Sequence, residues 1–288
     1  VHIGNNVAVK EEENMDSGIQ LNNGIIMPRI GLGTWQIEDG DDVYRAVSTA
    51  LNEGYRLIDT ASIYGNEAGV GRAITESSVP REEIFLTTKL WNSDQGADAA
   101  LTGFETSLEK LGQNYVDLYL IHWPTPKRGK FIETWKVFEN LLADSKVRAI
   151  GVSNFKPHHL EELLKAADVA PSVNQIELHP RLQQRETREF CHDHDIRVES
   201  YSPIMQAGEI FQNETLLEIA KQYDKSVSQV VIRWHLQHGL IPIPKSNSTD
   251  HIAENFDVFN FTLSDEHMTM IDTLSDGTRI NADPDNFN

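Results

Sequence analysis

Cysteine is almost absent from this chain. Cys191 is the only one, so no intrachain disulfide can form, and a reducing, cytoplasmic setting is expected. It lies in a stretch of helical period, CHDHD, and reads as packing rather than chemistry. Positive charge is scarce too: 25 Lys and Arg stand against 44 Asp and Glu, a formal net charge of −19. Nucleic acid and anionic membrane both need a basic surface, so neither is an expected partner. An anionic ligand must instead be held by a local cluster of cations and backbone amides. No apolar run approaches the eighteen or so residues of a membrane span, and no charged-then-apolar leader opens the chain. The sequons at Asn213, Asn247 and Asn260 are therefore expected to stay unmodified, because glycosylation requires secretion. Also missing is the Gly-x-Gly-x-x-Gly fingerprint of open-sheet nucleotide folds. Gly65, Gly69 and Gly71 have the wrong spacing, and Gly31-Leu32-Gly33 runs on into Thr34-Trp35-Gln36.

What is present is alternation. With 288 residues and 39% apolar content the chain can bury one large core. Residues 1–18 are polar, carry Glu11-Glu12-Glu13 and show no period; they read as a disordered arm or as a stretch foreign to the native chain, with Met15 a candidate start. A hairpin follows, with apolar residues on either side of Asn22-Asn23-Gly24, a pattern that suits a type I′ turn. From residue 30 on, β-rich runs near 30–33, 55–59, 84–88, 115–122, 147–152, 173–178, 197–201 and 240–242 alternate with helical segments. These lie near 41–52, 67–75, 97–111, 131–143, 157–167, 183–194, 227–237 and 251–256. Strict strand–helix alternation means parallel pairing, and eight repeats without a break in composition predict closure into a (β/α)8 barrel over 19–288. Two helices exceed the count. One spans 213–223, ahead of a capping box at Ser226 and Gln229; the other spans 264–274, capped by Ser264. The tail from 275 either hangs free or folds over a barrel mouth.

Chemistry gathers at strand ends. Asp59 and Tyr64 follow the second strand, Lys89 ends the third and His122 ends the fourth, so parallel strands in sequential order bring all four to one rim. An ammonium beside a phenol is expected to lower a pKa near 10, and an aspartate keeps that lysine charged. Tyr64 is then a proton donor near neutral pH, with His122 a hydrogen-bond donor to a carbonyl oxygen. Taken singly, each residue reads first as structural: a turn cap, a rim charge or a satisfied core histidine.

The chain resembles the aldo-keto reductase family over about 19–274. The resemblance rests on GLGTW from Gly31, on GYRLIDTASIYGNEAGVG from Gly54, and on TTKLW from Thr87. It continues through IHWP from Ile121, KVRAIGVSNF from Lys146, IPKS from Ile243 and the pair Glu254-Asn255. Bacterial 2,5-diketo-gluconate reductases look nearest, because the loop after His122 is short. The resemblance implies NAD(P)H-dependent reduction of aldehydes and small ketones, including methylglyoxal or diketo sugar acids. It implies a catalytic tetrad of Asp59, Tyr64, Lys89 and His122. Ser153, Asn154 and Gln175 would hold the nicotinamide amide, and Tyr201 would stack on the ring. Ser202, Lys245, Ser246, Asn247, His251, Glu254 and Asn255 would line the adenosine phosphate site, and Trp35, Trp91 and Trp123 the substrate pocket.

One position departs from the family pattern. Where the family usually places an arginine that grips the 2′-phosphate of NADPH, this chain has His251, which keeps stacking and loses the charged fork. NADPH is still expected, with NADH use opened. Short connections after the fourth and seventh strands suggest an open, shallow site, and Lys127, Arg128 and Lys130 read as solvated loop charge. His192, Asp193, His194 and Asp195 point different ways on a helix, so no metal site is expected, and the protein is read as a monomer. Two other readings share the barrel. A cofactor-binding sensor with little turnover is weakened by the intact tetrad. A phosphate-handling isomerase should lack the Ser-Asn and Gln pattern, which is present.

Overall fold

The computed structural model describes residues 18–288; the arm read from the sequence lies outside them apart from Gly18. The hairpin forms from β1 (Ile19–Gln20) and β2 (Ile26–Met27), paired antiparallel. Its turn differs from the one expected. Gly24 alone has positive φ, at 85°, and its N–H returns to Leu21 O while Leu21 N–H reaches Ile25 O. A type I′ turn needs two positive φ values, whereas three loop residues with one left-handed glycine make a type I turn closed by a bulge.

Eight strands follow: β3 (Gly31–Gly33), β4 (Leu57–Asp59), β5 (Phe85–Leu90), β6 (Val116–Ile121), β7 (Val147–Ser153), β8 (Val173–Glu177), β9 (Arg197–Tyr201) and β10 (Ile241–Pro242). Neighbours pair parallel in sequence order. The sheet closes where Gly33 bridges to Lys245 and its N–H donates to Pro244 O, so this is a (β/α)8 barrel. The helices are α1 (Asp41–Glu53), α2 (Glu67–Thr75), α3 (Ala97–Leu111), α4 (Phe131–Ala143), α5 (Pro157–Ala166), α6 (Arg185–Asp193), α7 (Glu214–Tyr223), α8 (Val227–Gln237), α9 (Thr249–Phe256) and α10 (Asp265–Asp272). The additions beyond the eightfold repeat are α7 and α10. Ser226 and Gln229 cap α8 reciprocally, and Ser264 accepts from His267 N at the start of α10.

Strand alternation sorts the side chains into two apolar layers. Ile58, Leu86, Tyr119, Ile121, Ile150, Val152, Ile176 and Val198 point outward into the core shared with the helices. Leu57, Phe85, Leu118, Leu120, Ala149, Val173 and Ile241 point inward, where the hairpin residues Ile19, Leu21 and Met27 plug the bottom. Side chains alternate with period two, so the next inward positions toward the strands' C-terminal ends are Asp59, Lys89, His122, Ser153, Gln175 and Glu199. The polar rim is the continuation of an apolar stack. Cys191 packs in the outer core, and burial raises its thiol to about 11, as befits a packing residue.

Candidate active site

Every residue singled out for chemistry or binding in the sequence, Lys89 excepted, lines one cavity of about 710 Å³ at the C-terminal ends of the strands. That volume suits a small-molecule or cofactor site. Lys89 lies beneath it with no solvent exposure.

Lys89 organises the floor. Its ammonium donates to Asp59 Oδ1 at 2.6 Å, to Thr60 O at 2.9 Å and to Tyr64 OH at 3.3 Å, which uses all three of its N–H bonds. The phenol oxygen is thereby an acceptor from below, and its own O–H is left for the cavity. Tyr64 sits on a single 3-10 turn, Ser62–Tyr64, tied down by Ser62 Oγ donating to Lys89 O. Behind the turn, Asn66 accepts from Thr60 Oγ1 in its own loop and donates to Thr34 O and Ile37 O, fastening two loops together. Asn66 carries the geometry of the turn, yet in sequence it looks like any loop polar residue. The nearby glycines serve packing: a Cβ on Gly71 would collide with Leu111 O, and one on Gly69 with Val43 Cγ1.

The charges differ in one respect from the sequence expectation. Burial raises the pKa of Tyr64 and outweighs the pull of Lys89, whose charge Asp59 largely cancels. Tyr64 is thus protonated at neutral pH, as a donor must be. For Lys89, burial opposes the charge, but attraction to Asp59 and Tyr64 prevails and its pKa is raised. Burial, reinforced by the Lys89 ammonium, holds His122 neutral, well below the usual imidazole range. Its Nδ1 is buried without a partner among the described residues, and its ring stands 5.7 Å from Tyr64 and 5.2 Å from Trp91, both edge-on.

Beside this floor, Ser153 Oγ donates to Gln175 O. The Asn154 amide donates to His122 O and Ser153 Oγ and accepts from Tyr201 OH at 2.8 Å. Asn154 has φ 65°, a left-handed conformation that asparagine tolerates. At the far end Ser202, Lys245, Ser246, Asn247, His251, Glu254 and Asn255 face the same cavity. There Ser248 caps α9, accepting from His251 N, so the positive end of the helix adds to Lys245. A nucleotide fits these donors: hydroxyl and amide groups gather at one end, and a lysine with a helix N-terminus at the other.

Two features were not evident from sequence. The tail folds over the mouth: Phe287 packs 4.5 Å from Trp123 and, with Asn281 and Ala282, lines the cavity. Buried Glu177 accepts Ile280 N–H at 2.7 Å and Asn281 N–H at 3.1 Å, and Lys156 reaches Asp283 and Asp285. The site is deeper than the short connections suggested, because the tail supplies a wall. His158, His159 and Asp285 cluster at this latch. His159 Nδ1 accepts Lys156 N–H, so the proton of the neutral ring sits on Nε2, which faces Asp285 Oδ1 at 3.5 Å. The second feature is Glu199, fully buried beneath Gln175. Lys127, Arg128 and Lys130 do not line the cavity.

The geometry has counterparts. A model of the Aldo/keto reductase family matches residues 29–276. The 9,11-endoperoxide prostaglandin H2 reductase of Trypanosoma cruzi (strain CL Brener) is 54% identical over 271 residues, 93% of this chain and 95% of that protein. Glyoxal reductase of Bacillus subtilis (strain 168) is 51% identical over 267 residues, 93% and 96% of the two chains. Among solved structures, an aspartate-to-alanine variant of Gox0644 in complex with NADPH matches with a TM-score of 0.90 at 44% identity, covering 95% of this chain and 99% of that one. With the barrel, the polar rim and a family match over most of its length, the chain belongs to the aldo/keto reductase family.

Proposed function

We propose that this chain reduces small aldehydes and ketones, α-oxoaldehydes such as glyoxal and methylglyoxal foremost, to alcohols with NADPH as reductant. The observation that carries the reading is the hydrogen-bond fan of Lys89, which orients Tyr64, kept protonated by burial, with its O–H free toward the cavity. A bound nicotinamide supplies the hydride, so the protein's task is the proton that the carbonyl oxygen takes up. Tyr64 gives that proton, and Lys89 stabilises the phenolate left behind. Asp59 keeps Lys89 charged in a site that has excluded water. His122 is neutral and donates a ring N–H to the carbonyl oxygen, where charge grows. Ser153, Asn154 and Gln175 would hold the carboxamide, and Tyr201 the ring. Lys245, Ser246, Asn247 and His251 would meet the 2′-phosphate end, with Ser202, Glu254 and Asn255 around the adenosine. Trp35, Trp91 and Trp123 with Phe287 make an apolar slot for a short substrate.

The test is Tyr64→Phe. General-acid loss should lower kcat for methylglyoxal by about 10³-fold, with NADPH affinity, read by fluorescence quenching, unchanged within about twofold. A variant that keeps most of the wild-type rate removes Tyr64 as the acid.

A further inference from the structure

Inside the barrel, below the nicotinamide-side residues, one acid has no part in the reduction as described. Glu199 lies on β9 directly opposite Gln175 on β8, both inward-facing and fully enclosed. The Gln175 Nε2 group donates to Glu199 Oε2 at 2.6 Å and to Asp59 Oδ2 at 2.8 Å. A carboxamide has two N–H bonds and one oxygen, and here both N–H bonds are spent downward on carboxyl groups. Turning the amide over would set its oxygen against Oδ2 of Asp59, the carboxylate paired with Lys89, so the orientation is fixed. The oxygen is left as the amide's only free group, and Gln175 lines the cavity.

We propose that Glu199 is a positioning residue: together with Asp59 it holds the Gln175 amide with its oxygen presented to the cavity, as an acceptor for the N–H2 of a carboxamide ligand. This rests on the reading of the cavity as a nicotinamide site. Asp59 by itself could anchor only one of the two N–H bonds and leave the amide free to swing about it. The second anchor also ties cofactor recognition to the catalytic ion pair, since Asp59 accepts from Lys89 with its other oxygen. Glu199 suits the role because it holds its place without a second buried negative charge beside Asp59. Burial and the Asp59 charge raise its pKa to about 8, and its Oε1 has no hydrogen-bond partner among the described residues. In the protonated form its carbonyl oxygen still accepts from Gln175.

The experiment compares Glu199→Leu, which removes the acceptor, with Glu199→Gln, whose side-chain carbonyl can still accept. Dissociation constants are measured at neutral pH for NADPH and for 2′,5′-ADP, which lacks the nicotinamide. The Leu variant should bind NADPH about tenfold more weakly, a difference of about 1.4 kcal/mol, and 2′,5′-ADP within twofold of wild type. The Gln variant should match wild type with both ligands. Equal weakening of both ligands by Leu would show a merely structural role; no weakening, or a Gln variant as poor as Leu, would equally overturn the proposal. If neither variant folds, the wild-type protein decides. It should bind NADP⁺ at least tenfold more tightly than the analogue with nicotinic acid in place of nicotinamide, and equal binding of the two refutes an acceptor facing the ligand. Failure of the wild type to bind NADPH at all would instead refute the cofactor reading on which this rests.

Discussion

A lysine with every N–H bond committed to its surroundings is a poor nucleophile and a good fixture, and Lys89 is that fixture. It draws Asp59 toward its charged form against burial, orients Tyr64 and adds to the burial that keeps His122 neutral. This explains why residues that each read as unremarkable acquire a joint chemistry when enclosed together. His251 is the opposite kind of residue, exposed in the first turn of α9 with few ties. With Lys245 the one lysine or arginine among the described residues that line the cavity, the proposed 2′-phosphate end has little charge to offer. Placing a planar, permanently charged fork at this position should favour the phosphorylated cofactor. We expect His251→Arg to tighten NADPH by about tenfold, on the order of a charge-assisted hydrogen bond, and to leave NADH nearly unchanged. Parallel fluorescence titrations check this, and equal gains for both cofactors would rule out contact with the phosphate.

Among the elements, the C-terminal tail is the one whose attachment is mostly polar. Its backbone hangs on Glu177, its carboxylates on Lys156, and only Phe287 brings an apolar anchor. Deleting 281–288 should raise KM for methylglyoxal several-fold and leave NADPH affinity within about twofold, because the tail lines the substrate side near Trp91 and Trp123. An unchanged KM would show that the tail only rests on the surface. The latch has a defined pH response. Hydrogen bonding to Lys156 lowers the pKa of Asp283; for Asp285 burial works upward, but Lys156 prevails and the pKa is again lowered. A depressed folded-state pKa gives stabilisation that is present above the free carboxylate value near 3.9 and is lost as pH falls through the folded value. Tail docking, followed by Trp123 fluorescence, should therefore hold constant from about pH 5 to 8 and weaken only below about pH 4.

For the molecule as a whole, the imbalance of charge matters most. A formal charge of −19 on a chain of 288 residues repels itself, and the local ion pairs at Arg81, Arg148, Lys156 and Arg181 relieve only part of that. Screening should help the folded state more than the expanded one. We expect the thermal midpoint to rise by a few degrees between low salt and about 0.2 M NaCl, where the Debye length has shrunk to less than about 10 Å. A midpoint that falls with salt would mean that attractive pairs dominate. The described residues contain no helix long and apolar enough to cross a membrane.

Strand and helix alternation was legible in the sequence because burial on both faces writes β-rich runs, and one buried stripe writes a helical period. The count of eight parallel units, the caps at Ser226 and Ser264, and the gathering of Asp59, Tyr64, Lys89 and His122 at one rim all follow from local pattern plus strand order. The conformation of the Asn22-Asn23-Gly24 turn was not legible, since Asn-Gly serves two turn types and the loop length is settled by how the strands pair. Nor was the direction of the Tyr64 pKa. A sequence shows which charges neighbour a phenol along a strand order, whereas desolvation depends on how completely the surrounding loops close. Asn66, Glu199 and the course of the tail belong to the same class. Each acts through a partner 24 to 103 residues away in the chain, and only the closed barrel brings those partners within reach. The chain by itself determined which residue types stand at the rim; tertiary closure decided their protonation, their orientation and what covers them, because those depend on distances that no spacing along the sequence encodes.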